Sequence, residues 1–468
     1  MKKRRKRGHG GLEQRGIGGK FLSNSRLIPL LISTVSMNSF VSSLILFHPK
    51  EGTLLADMSA IFHAWKNHAD EEILRECLLK AVCHLLELGM ENGFDQNLWQ
   101  DYLTYHLLMA ENPFTLACER RGATPGASVN QFAKDDFECF RKLFRFDFHA
   151  LEKDLGVECF QTLTNYRAAP KAQQNRNQHV SSQVRKLSGL LAKTRTAEQF
   201  FDLMTTAYAE VGVGQFGLNR AFRIRGDGAG GVKFITIDDT DSVRLSSIVG
   251  YERQKALLRT NTEAFLAGRP ANNVLLYGDS GTGKSTSVKA LINEYHGQGL
   301  RMVEIYKHQF QDLSATVACL KNRAYRFILF LDDLSFEENE QEYKYLKAVI
   351  EGGVEKRPDN VLIYATSNRR HLVRETWNDR SDMEHGGDIH RSDTVEEKLS
   401  LAERFGVSIH YGSPTPKEYR QIVEELAKRE GISLTDEQLV RDAHAWEISH
   451  GGVSGRTAEQ YITWLKGR

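Results

Sequence analysis

The sequence has few cysteines, few prolines and, beyond its first residues, no excess of positive charge. Its six cysteines, in a chain of 468 residues, include no pair with Cys-x-x-Cys spacing. This excludes a zinc site of that kind and a disulfide framework, and is typical of a reduced, intracellular protein. The length predicts roughly two to four domains. A hydrophobic content of 41% and a charged content of 26% are ordinary for a soluble globular protein.

Positive charge is concentrated in short stretches. Residues 1–26 carry nine Lys or Arg and one Glu, a local charge of +8, so the formal net charge of +2 leaves −6 for the remainder. A mildly acidic remainder argues against a broad nucleic-acid-binding surface. Residues 165–195 hold seven Lys or Arg and no acid. They indicate a solvated linker or an exposed helix, with a nucleic-acid contact as the alternative.

An uncharged stretch, residues 27–47, follows the basic leader and is long enough to span a bilayer. A basic flank with an apolar segment is one pattern of a signal anchor. The stretch, however, contains five serines, Thr34, Asn38 and Pro29, which make it a poor membrane span. We therefore expect a cytoplasmic protein and hold membrane attachment as the weaker alternative. Translation from Met37 would make the leader an artefact of the assigned start.

The order of helical and strand patterns divides the chain into five segments. Apolar residues recur at three-and-four spacing from Ile73 to Leu86 and predict a helix that ends at Gly89. A second helical pattern breaks at Pro113. The predicted segments are a leader (1–50), a helical N-terminal domain (51–164), a basic linker and connecting region (165–242), an α/β domain (243–412) and a helical lid (413–468).

The α/β domain is predicted from strands that alternate with helices. The strand patterns are NNVLLYG, RMVEIY, RFILFLDD and NVLIYATSN. Unbroken apolar runs that end in polar residues favour strands buried on both faces of a parallel sheet. The alternation predicts helices on both faces of that sheet. From Thr415 onward the patterns are helical again, which predicts a small helical lid.

The stretch YGDSGTGKST fits the phosphate-loop pattern G-x-x-x-x-G-K-[ST], with a strand before it and a helix after it. Glycines allow successive backbone N–H groups to curve around phosphates, and the helix N-terminus favours the same anion. Lys284 is expected to contact the β- and γ-phosphates, and the Ser285 hydroxyl to bind Mg²⁺. The expected nucleotide contacts of the loop are Gly278, Asp279, Ser280, Gly281, Thr282, Gly283, Lys284, Ser285 and Thr286.

Two aspartates follow the apolar run RFILFL, 47 residues after Ser285. Ligands of open α/β sheets bind at the carboxyl ends of the strands. Asp332 is expected to hold Mg²⁺ together with Ser285, and Asp333 to orient or activate the attacking water. A glutamate is more usual at the second position, and aspartate is shorter by about 1.5 Å, one C–C bond. Because catalysis is sensitive to such displacements, we expect slow hydrolysis. Glu337 or Glu338 is the alternative base.

Together these motifs resemble the AAA+ ATPases. In particular they resemble an uncharacterised bacterial AAA+ family of predicted ATP-binding proteins, a domain of unknown function. The resemblance covers roughly residues 243–468 and extends to the stretch ENPFTLACE in the helical region. It implies a Mg²⁺-dependent ATPase that works as a homo-oligomer. Adjacent aspartates are also the pattern of the bacterial replication initiator, a slow ATPase that acts as a switch.

The resemblance assigns further site residues. In SSIVGYERQK, it implies that Ile248, Val249 and Gly250 lie against adenine. Asn368, after VLIYATS, resembles the sensor-1 residue between the acidic pair and the γ-phosphate. Arg404, in LAERFG, resembles the arginine finger that reaches a neighbouring subunit's nucleotide. Arg456, in SGRTAEQYI, resembles the sensor-2 arginine that contacts the γ-phosphate from the lid.

Two functions remain open from the sequence. The first is an ATPase that hydrolyses ATP slowly and acts as an oligomeric switch or remodelling factor. The second is a nucleotide-gated binding module for DNA or a protein partner, with negligible turnover. The polar stretch 375–398, between Asn368 and Arg404, has a length that is typical of functional or disordered loops.

Overall fold

The structure is a computed structural model. It describes residues 40–168, 178–228, 230–238, 240–336, 342–352, 358–369, 372, 401–432 and 436–467. Most of the uncharged stretch 27–47, the glutamates 337 and 338, and the insertion 375–398 lie outside these residues. Within them, no helix has both the length and the apolar character needed to cross a membrane.

The chain divides into two compact units. Among the described residues, the first unit contains 40–44, His48–Leu86 and Asp147–Gln161, and the second contains Ile45–Phe47, Glu87–Phe146 and the chain from Thr162 onward. The first unit is helical, with α1 (Leu54–Lys66), most of α2 (Glu71–Asn92) and α6 (His149–Leu155). The second unit holds the sheet and the remaining helices.

Helix α2 differs from its prediction at its end and in its buried face. It continues past Gly89 to Asn92. It buries Leu74 and Leu78, whereas Ile73 and Leu79 are about half exposed. The apolar residues at three-and-four spacing therefore cover a wider face of the helix than the face that is buried. A single sequence does not distinguish the two edges of such a stripe.

Several helices of the second unit precede the sheet. They include the two on either side of the predicted break at Pro113. That proline begins α4, where its missing N–H costs no hydrogen bond, and Asn112 caps the helix. The helices are α3 (Leu98–Met109), α4 (Pro113–Arg121), α5 (Val129–Phe144), α8 (Gln178–Leu191), α9 (Ala197–Glu210) and α10 (Gly214–Leu218). Helix α7 (Phe160–Thr164) begins in the first unit and ends in the second. The helical N-terminal region expected from the sequence is confirmed.

The sheet has seven strands in the order β2-β1-β4-β5-β6-β3-β7, and every neighbouring pair is parallel except β1 with β2. The four strands predicted from the sequence are confirmed. The strands are β1 (Ala221–Gly226), β2 (Val232–Thr236), β3 (Val274–Gly278), β4 (Leu300–Glu304), β5 (Arg326–Leu331), β6 (Val361–Ser367) and β7 (Val407–Tyr411). Strands β1, β2 and β7 were not predicted, and β1 and β2 extend the sheet from the segment interpreted as a linker.

Both faces of the sheet are covered, which accounts for the unbroken apolar run in β5. Phe327, Leu329 and Leu331 belong to the core on one face. Ile328 and Phe330 belong to the core on the other. The covering helices are α11 (Glu252–Leu266), α12 (Lys284–Tyr295), α13 (Leu313–Leu320) and α14 (Glu342–Glu351).

Three C-terminal helices form a lid with its own apolar core. They are α15 (Pro416–Arg429), α16 (Asp436–Ser449) and α17 (Gly455–Lys466). Thr415 caps α15 in a box with Glu418, and Pro416 occupies the first turn. The α/β class with a helical lid is thus confirmed, while the five-segment division of the chain stays a prediction.

A buried ion cluster fastens helix α4 to the start of β5. Arg323 donates to Glu119 at 3.3 Å and to Glu111 at 2.9 Å. The side chains of Arg323 and Glu119 are 8% and 2% exposed. Between them lies Val213, whose N–H donates to Glu119 at 3.0 Å and whose carbonyl accepts from Arg323 at 2.8 Å. The two glutamates bracket the stretch ENPFTLACE, which gives that motif a structural role.

We predict that Arg323→Met lowers the free energy of unfolding by about 3–5 kcal/mol, because it leaves the carboxylate of Glu119 buried without its cation. Urea denaturation measures the loss. Arg420→Met is the matched control, since Arg420 pairs with Glu424 on the exposed surface of α15 and should cost less than about 1 kcal/mol. Equal effects of the two changes would show that the buried cluster does not stabilise the fold.

Candidate functional site

The phosphate loop connects β3 to α12 and depends on its glycines. Gly278, Gly281 and Gly283 have φ values of 132°, 75° and 85°, a region that side chains disfavour. A Cβ on Gly278 would lie 2.1 Å from the carbonyl oxygen of Tyr411 in the neighbouring strand β7. The loop therefore turns sharply away from the sheet and delivers the chain to the N-terminus of α12, a favourable place for an anion.

Lys284 is held inside this loop. Its Nζ donates to the carbonyl oxygens of Gly278 and Asp279 at 2.9 and 2.6 Å, and to Oδ1 of Asn368 at 3.0 Å. Burial lowers the pKa of the ammonium group, and the nearby carboxylates of Asp279 and Asp333 oppose that shift. The structure thus brings together Lys284 and Asn368, two residues that the sequence analysis assigned to the phosphates.

A second cluster forms around Asp332. The hydroxyls of Ser285 and Thr366 both donate to Oδ1 of Asp332, at 2.5 and 2.6 Å. Lys289 lies 3.8 Å from the other carboxylate oxygen. Ser285 and Asp332, predicted as a pair, are therefore in contact. A carboxylate with hydroxyl neighbours is a set of hard oxygen donors, which Mg²⁺ prefers.

Asp333 adopts a left-handed backbone conformation, with φ of 52°. Its N–H donates to Oγ1 of Thr366 at 2.9 Å, and its carboxylate accepts from Nδ2 of Asn368 at 2.8 Å. Asp tolerates this region better than most residues. The turn directs the two adjacent carboxylates to different partners, Asp332 to Ser285 and Asp333 to Asn368.

Thr366 is a site residue that sequence reasoning missed. It binds Asp332 and supports the backbone of Asp333, and it is 1% exposed. The signal was present in the sequence, since Thr366 precedes Asn368 by two positions. Residues two apart in a strand point to the same side. Strand β6 pairs with β5, so both side chains meet the acidic pair.

The N-terminus of the lid helix α17 packs against the tip of the loop. The N–H of Arg456 donates to the carbonyl oxygen of Gly281 at 3.2 Å. A Cβ on Gly281 would lie 2.9 Å from Oγ of Ser454. The side chain of Arg456 is exposed, and its charge contributes to the lowered pKa of Lys284. The structure therefore places the predicted sensor-2 arginine next to the phosphate loop.

Asp279 fastens the loop to the segment that leads into the lid. Its carboxylate accepts from the N–H and the hydroxyl of Ser413, at 2.7 and 2.8 Å. These hydrogen bonds lower the pKa of Asp279. Ser413, which sequence reasoning did not single out, thus ties the second residue of the loop to the approach of α15.

The segment Ile248–Gly250 lies between the loop and the lid. A Cβ on Gly283 would be 3.7 Å from Cγ2 of Ile248, and Val249 packs against the apolar core of the lid. Lys255 fixes the segment by donating to the carbonyl oxygen of Ile248 at 2.7 Å. A cavity of about 910 Å³ opens between this segment and helices α15 and α16, which is large enough for a nucleotide base.

Arg404 forms an ion pair with Glu351 at the end of α14, at 2.5 Å. Its side chain is a quarter exposed. The other predicted site residues cluster around the loop, while Arg404 lies at this separate contact. Such a position agrees with a group whose target belongs to another subunit, and equally with an ordinary surface ion pair.

Comparisons with known proteins give one family. A family model described as a protein of unknown function, DUF815, matches residues 218–468, more than half of the chain. No curated protein matches.

Structural matches include the Holliday junction branch migration motor RuvB of Thermotoga maritima, at 18% identity and a TM-score of 0.32, over 48% of this chain and 63% of that chain. A variant of the same RuvB matches at 19% identity and a TM-score of 0.34, over 48% of this chain and 63% of that chain. This chain spans less than two thirds of either match.

We predict that Gly278→Ala destabilises the protein by at least about 1–3 kcal/mol, the usual cost of a strained backbone conformation. The clash with the carbonyl of Tyr411 adds to this cost. Gly189→Ala is the control, because its Cβ would meet nothing within 4 Å and alanine favours a helix interior by about 0.5–1 kcal/mol. Thermal unfolding of both variants is the measurement. Unchanged stability of Gly278→Ala would contradict the close packing of the loop on β7.

Proposed function

This chain belongs to the DUF815 family, and we propose that it is a cytoplasmic, Mg²⁺-dependent ATPase of the AAA+ type with slow turnover. The observation that carries the proposal is the meeting of Lys284, Ser285, Asp332, Asp333 and Asn368 at one end of the parallel sheet. The residues come from three elements far apart in sequence. A structural role alone does not require a buried lysine beside two carboxylates at a phosphate loop.

ATP fits the groups present. The ammonium of Lys284 donates to two backbone carbonyls of its own loop, and phosphate oxygens are stronger acceptors for the same donors. The N-terminus of α12 favours the same anion. We propose that the base lies in the cavity beside Ile248, Val249 and Gly250, and that Arg456 contacts the γ-phosphate from the lid. The remaining loop residues would supply backbone N–H groups to the phosphates.

Mg²⁺ fits the pair formed by Ser285 and Asp332. A hydroxyl and a carboxylate in contact at 2.5 Å are the kind of oxygen ligands that hold this ion in phosphate-loop proteins. When bound, the ion would neutralise charge on the β- and γ-phosphate oxygens. Thr366 would keep Asp332 oriented by its hydrogen bond to the same carboxylate oxygen.

Asp333 is the proposed base for hydrolysis. It would orient a water molecule towards the γ-phosphorus and accept its proton, while Asn368 holds the carboxylate in place. As the new P–O bond forms, the bond to the bridging oxygen of ADP breaks, and ADP leaves with that electron pair. The short side chain of Asp333, fixed by Asn368, supports slow turnover because the base is set back by about one C–C bond.

The second candidate function is a nucleotide-gated binding module with negligible turnover, for DNA or a protein partner. The hydrogen bond between Asp333 and Asn368 favours it, because a carboxylate that is already occupied is a poorer base. Phosphate release under single-turnover conditions separates the two candidates. Release at a rate above that of the Lys284→Ala variant, which should not bind ATP, supports the ATPase, and release at the same rate supports the binding module.

We predict that the two aspartates separate by function. Asp333→Asn should retain ATP affinity and lose phosphate release, because the amide cannot accept the proton. Asp332→Ala should remove the dependence of ATP affinity on Mg²⁺, measured by calorimetry with and without the metal. The control is Asp202→Asn on the exposed surface of α9, which should change neither. Wild-type turnover by Asp333→Asn would assign the base elsewhere, with Glu337 and Glu338 next to be tested.

We also predict that Arg404 acts on a neighbouring subunit. Arginine fingers raise rates by about 10³- to 10⁵-fold where they have been measured. Specific activity should therefore climb with protein concentration, and Arg404→Ala should flatten this climb while ATP affinity stays nearly unchanged. Mixing the Arg404→Ala protein with Lys284→Ala, which should not bind ATP, should restore part of the activity, since the Lys284→Ala subunit donates its Arg404 to the intact nucleotide site of the other subunit.

Arg420→Ala is the control for Arg404, because Arg420 is likewise an arginine paired with a glutamate. It should leave the concentration dependence intact. A rate per subunit that does not depend on concentration, together with no rescue on mixing, would show that Arg404 only pairs with Glu351 and that the protein acts as a monomer.

A further inference from the structure

Strands β1 and β2 form a hairpin with one buried and one exposed side. Phe222 and Ile224 of β1 are buried in the core. Arg223 pairs with Ile235, and Arg225 pairs with Lys233. Directly opposite residues point to the same side of a sheet, so these four residues share the other side. We call them the basic hairpin face.

The charges of this face are not balanced within the described part of the chain. Arg225 and Lys233 are exposed and directly opposite each other. Like charges in this arrangement repel and weaken strand pairing. Neither forms an ion pair with a described residue. The carboxylate of Glu304, on the neighbouring strand, pairs instead with Arg223, whose Nε lies 2.8 Å from Oε2 of Glu304. The face therefore presents two cations that an anionic partner would stabilise.

Exposed rings adjoin the same face. Tyr306, two residues after β4, is 40% exposed, and its ring lies parallel to that of His308, with centroids 5.9 Å apart and an angle of 11°. The guanidinium of Arg223 lies 5.8 Å from the Tyr306 ring centroid. The hydroxyl of Tyr306 donates to Glu304 at 3.1 Å. These contacts hold a flat aromatic surface beside the cations, and Ile235 adds exposed apolar area.

We propose that the basic hairpin face and Tyr306 bind single-stranded nucleic acid. The cations match a phosphate backbone, and the exposed ring offers a surface on which an unpaired base can stack. A duplex would leave the ring without a partner, because its bases are already stacked. An acidic peptide would satisfy the cations but would not use the ring. The proposal is independent of the ATPase proposal, and it concerns residues outside the basic stretch 165–195.

The experiment measures binding of the full-length chain to fluorescently labelled oligothymidylate by polarisation, over a series of salt concentrations. The double variant Arg225→Ala with Lys233→Ala should bind more weakly. The slope of log K against log salt should become shallower by about 1.4, because single strands contribute about 0.7 for each phosphate contact. Tyr306→Ala should raise the Kd by about five- to a hundredfold through the lost stacking, while Tyr306→Phe should bind like the wild type.

The matched control is Lys186→Ala with Arg195→Ala, which removes two exposed cations from the basic stretch. It should leave both the affinity and the salt slope near the wild-type values. An equal loss in this control would show that binding depends on overall charge and would overturn the proposal. Three other results would also overturn the proposal. They are an affinity for a duplex of the same length that equals the affinity for the single strand, binding by the Arg225→Ala, Lys233→Ala variant that equals wild-type binding, and no binding of the wild type at low salt. Binding of polyglutamate that requires Arg225 and Lys233, without binding of the oligonucleotide, would assign the face to an acidic protein instead.

Discussion

The register in which β5 pairs with β6 determines where the polar groups of the candidate site lie. Leu331 pairs with Ala365, so the residues that follow, Asp332 and Thr366, meet beyond the last apolar pair. Thr366 binds Asp332 with its hydroxyl proton and accepts from the backbone of Asp333. Asn368, two positions further on, then reaches both Asp333 and Lys284. A slip of one residue would turn Thr366 and Asn368 to the opposite face of the sheet and separate all these groups.

The segment just before β5 is also held by side-chain contacts. Arg323 is anchored by Glu119 and Glu111, which belong to the helical region, and by the turn that contains Val213. Gly214 makes the turn possible, because a Cβ there would lie 2.0 Å from a carboxylate oxygen of Glu111. The helical region and the sheet of the second unit therefore share the buried ion pair of Arg323 and Glu119, and either charge would be left buried without its partner if the other were removed. This gives a physical reason why a motif before the sheet, ENPFTLACE, accompanies a phosphate loop.

The phosphate loop and the two aspartates could be predicted from the sequence because they lie at the ends of strongly apolar strands. Such strands are recognisable as unbroken apolar runs in the sequence, and the carboxyl ends of parallel strands meet at one edge of the sheet. Asn368 and Arg456 were assigned by the resemblance to a known family. Thr366 and Ser413 were missed because their roles depend on which strand neighbours which, and strand order is not encoded in local pattern. Strand β7 was missed for a related reason. Its five residues alternate between buried and less buried positions, and they lie at the edge of the sheet beside β3, where a short run gives a weak signal.

The position of charge clusters on the surface was the property hardest to predict from the sequence. Counting along the chain singles out residues 165–195, which hold seven Lys or Arg and no acid. Residues Val180, Val184 and Leu191 of that stretch are nevertheless buried, so part of it packs as the helix α8. Arg225 and Lys233 are separated by a turn and belong to a segment with acids nearby in sequence, yet antiparallel pairing places them side by side. A pair that repels itself weakens the hairpin that carries it. Its presence on an exposed sheet face, beside an ordered aromatic ring, is therefore better explained by an anionic partner than by stability.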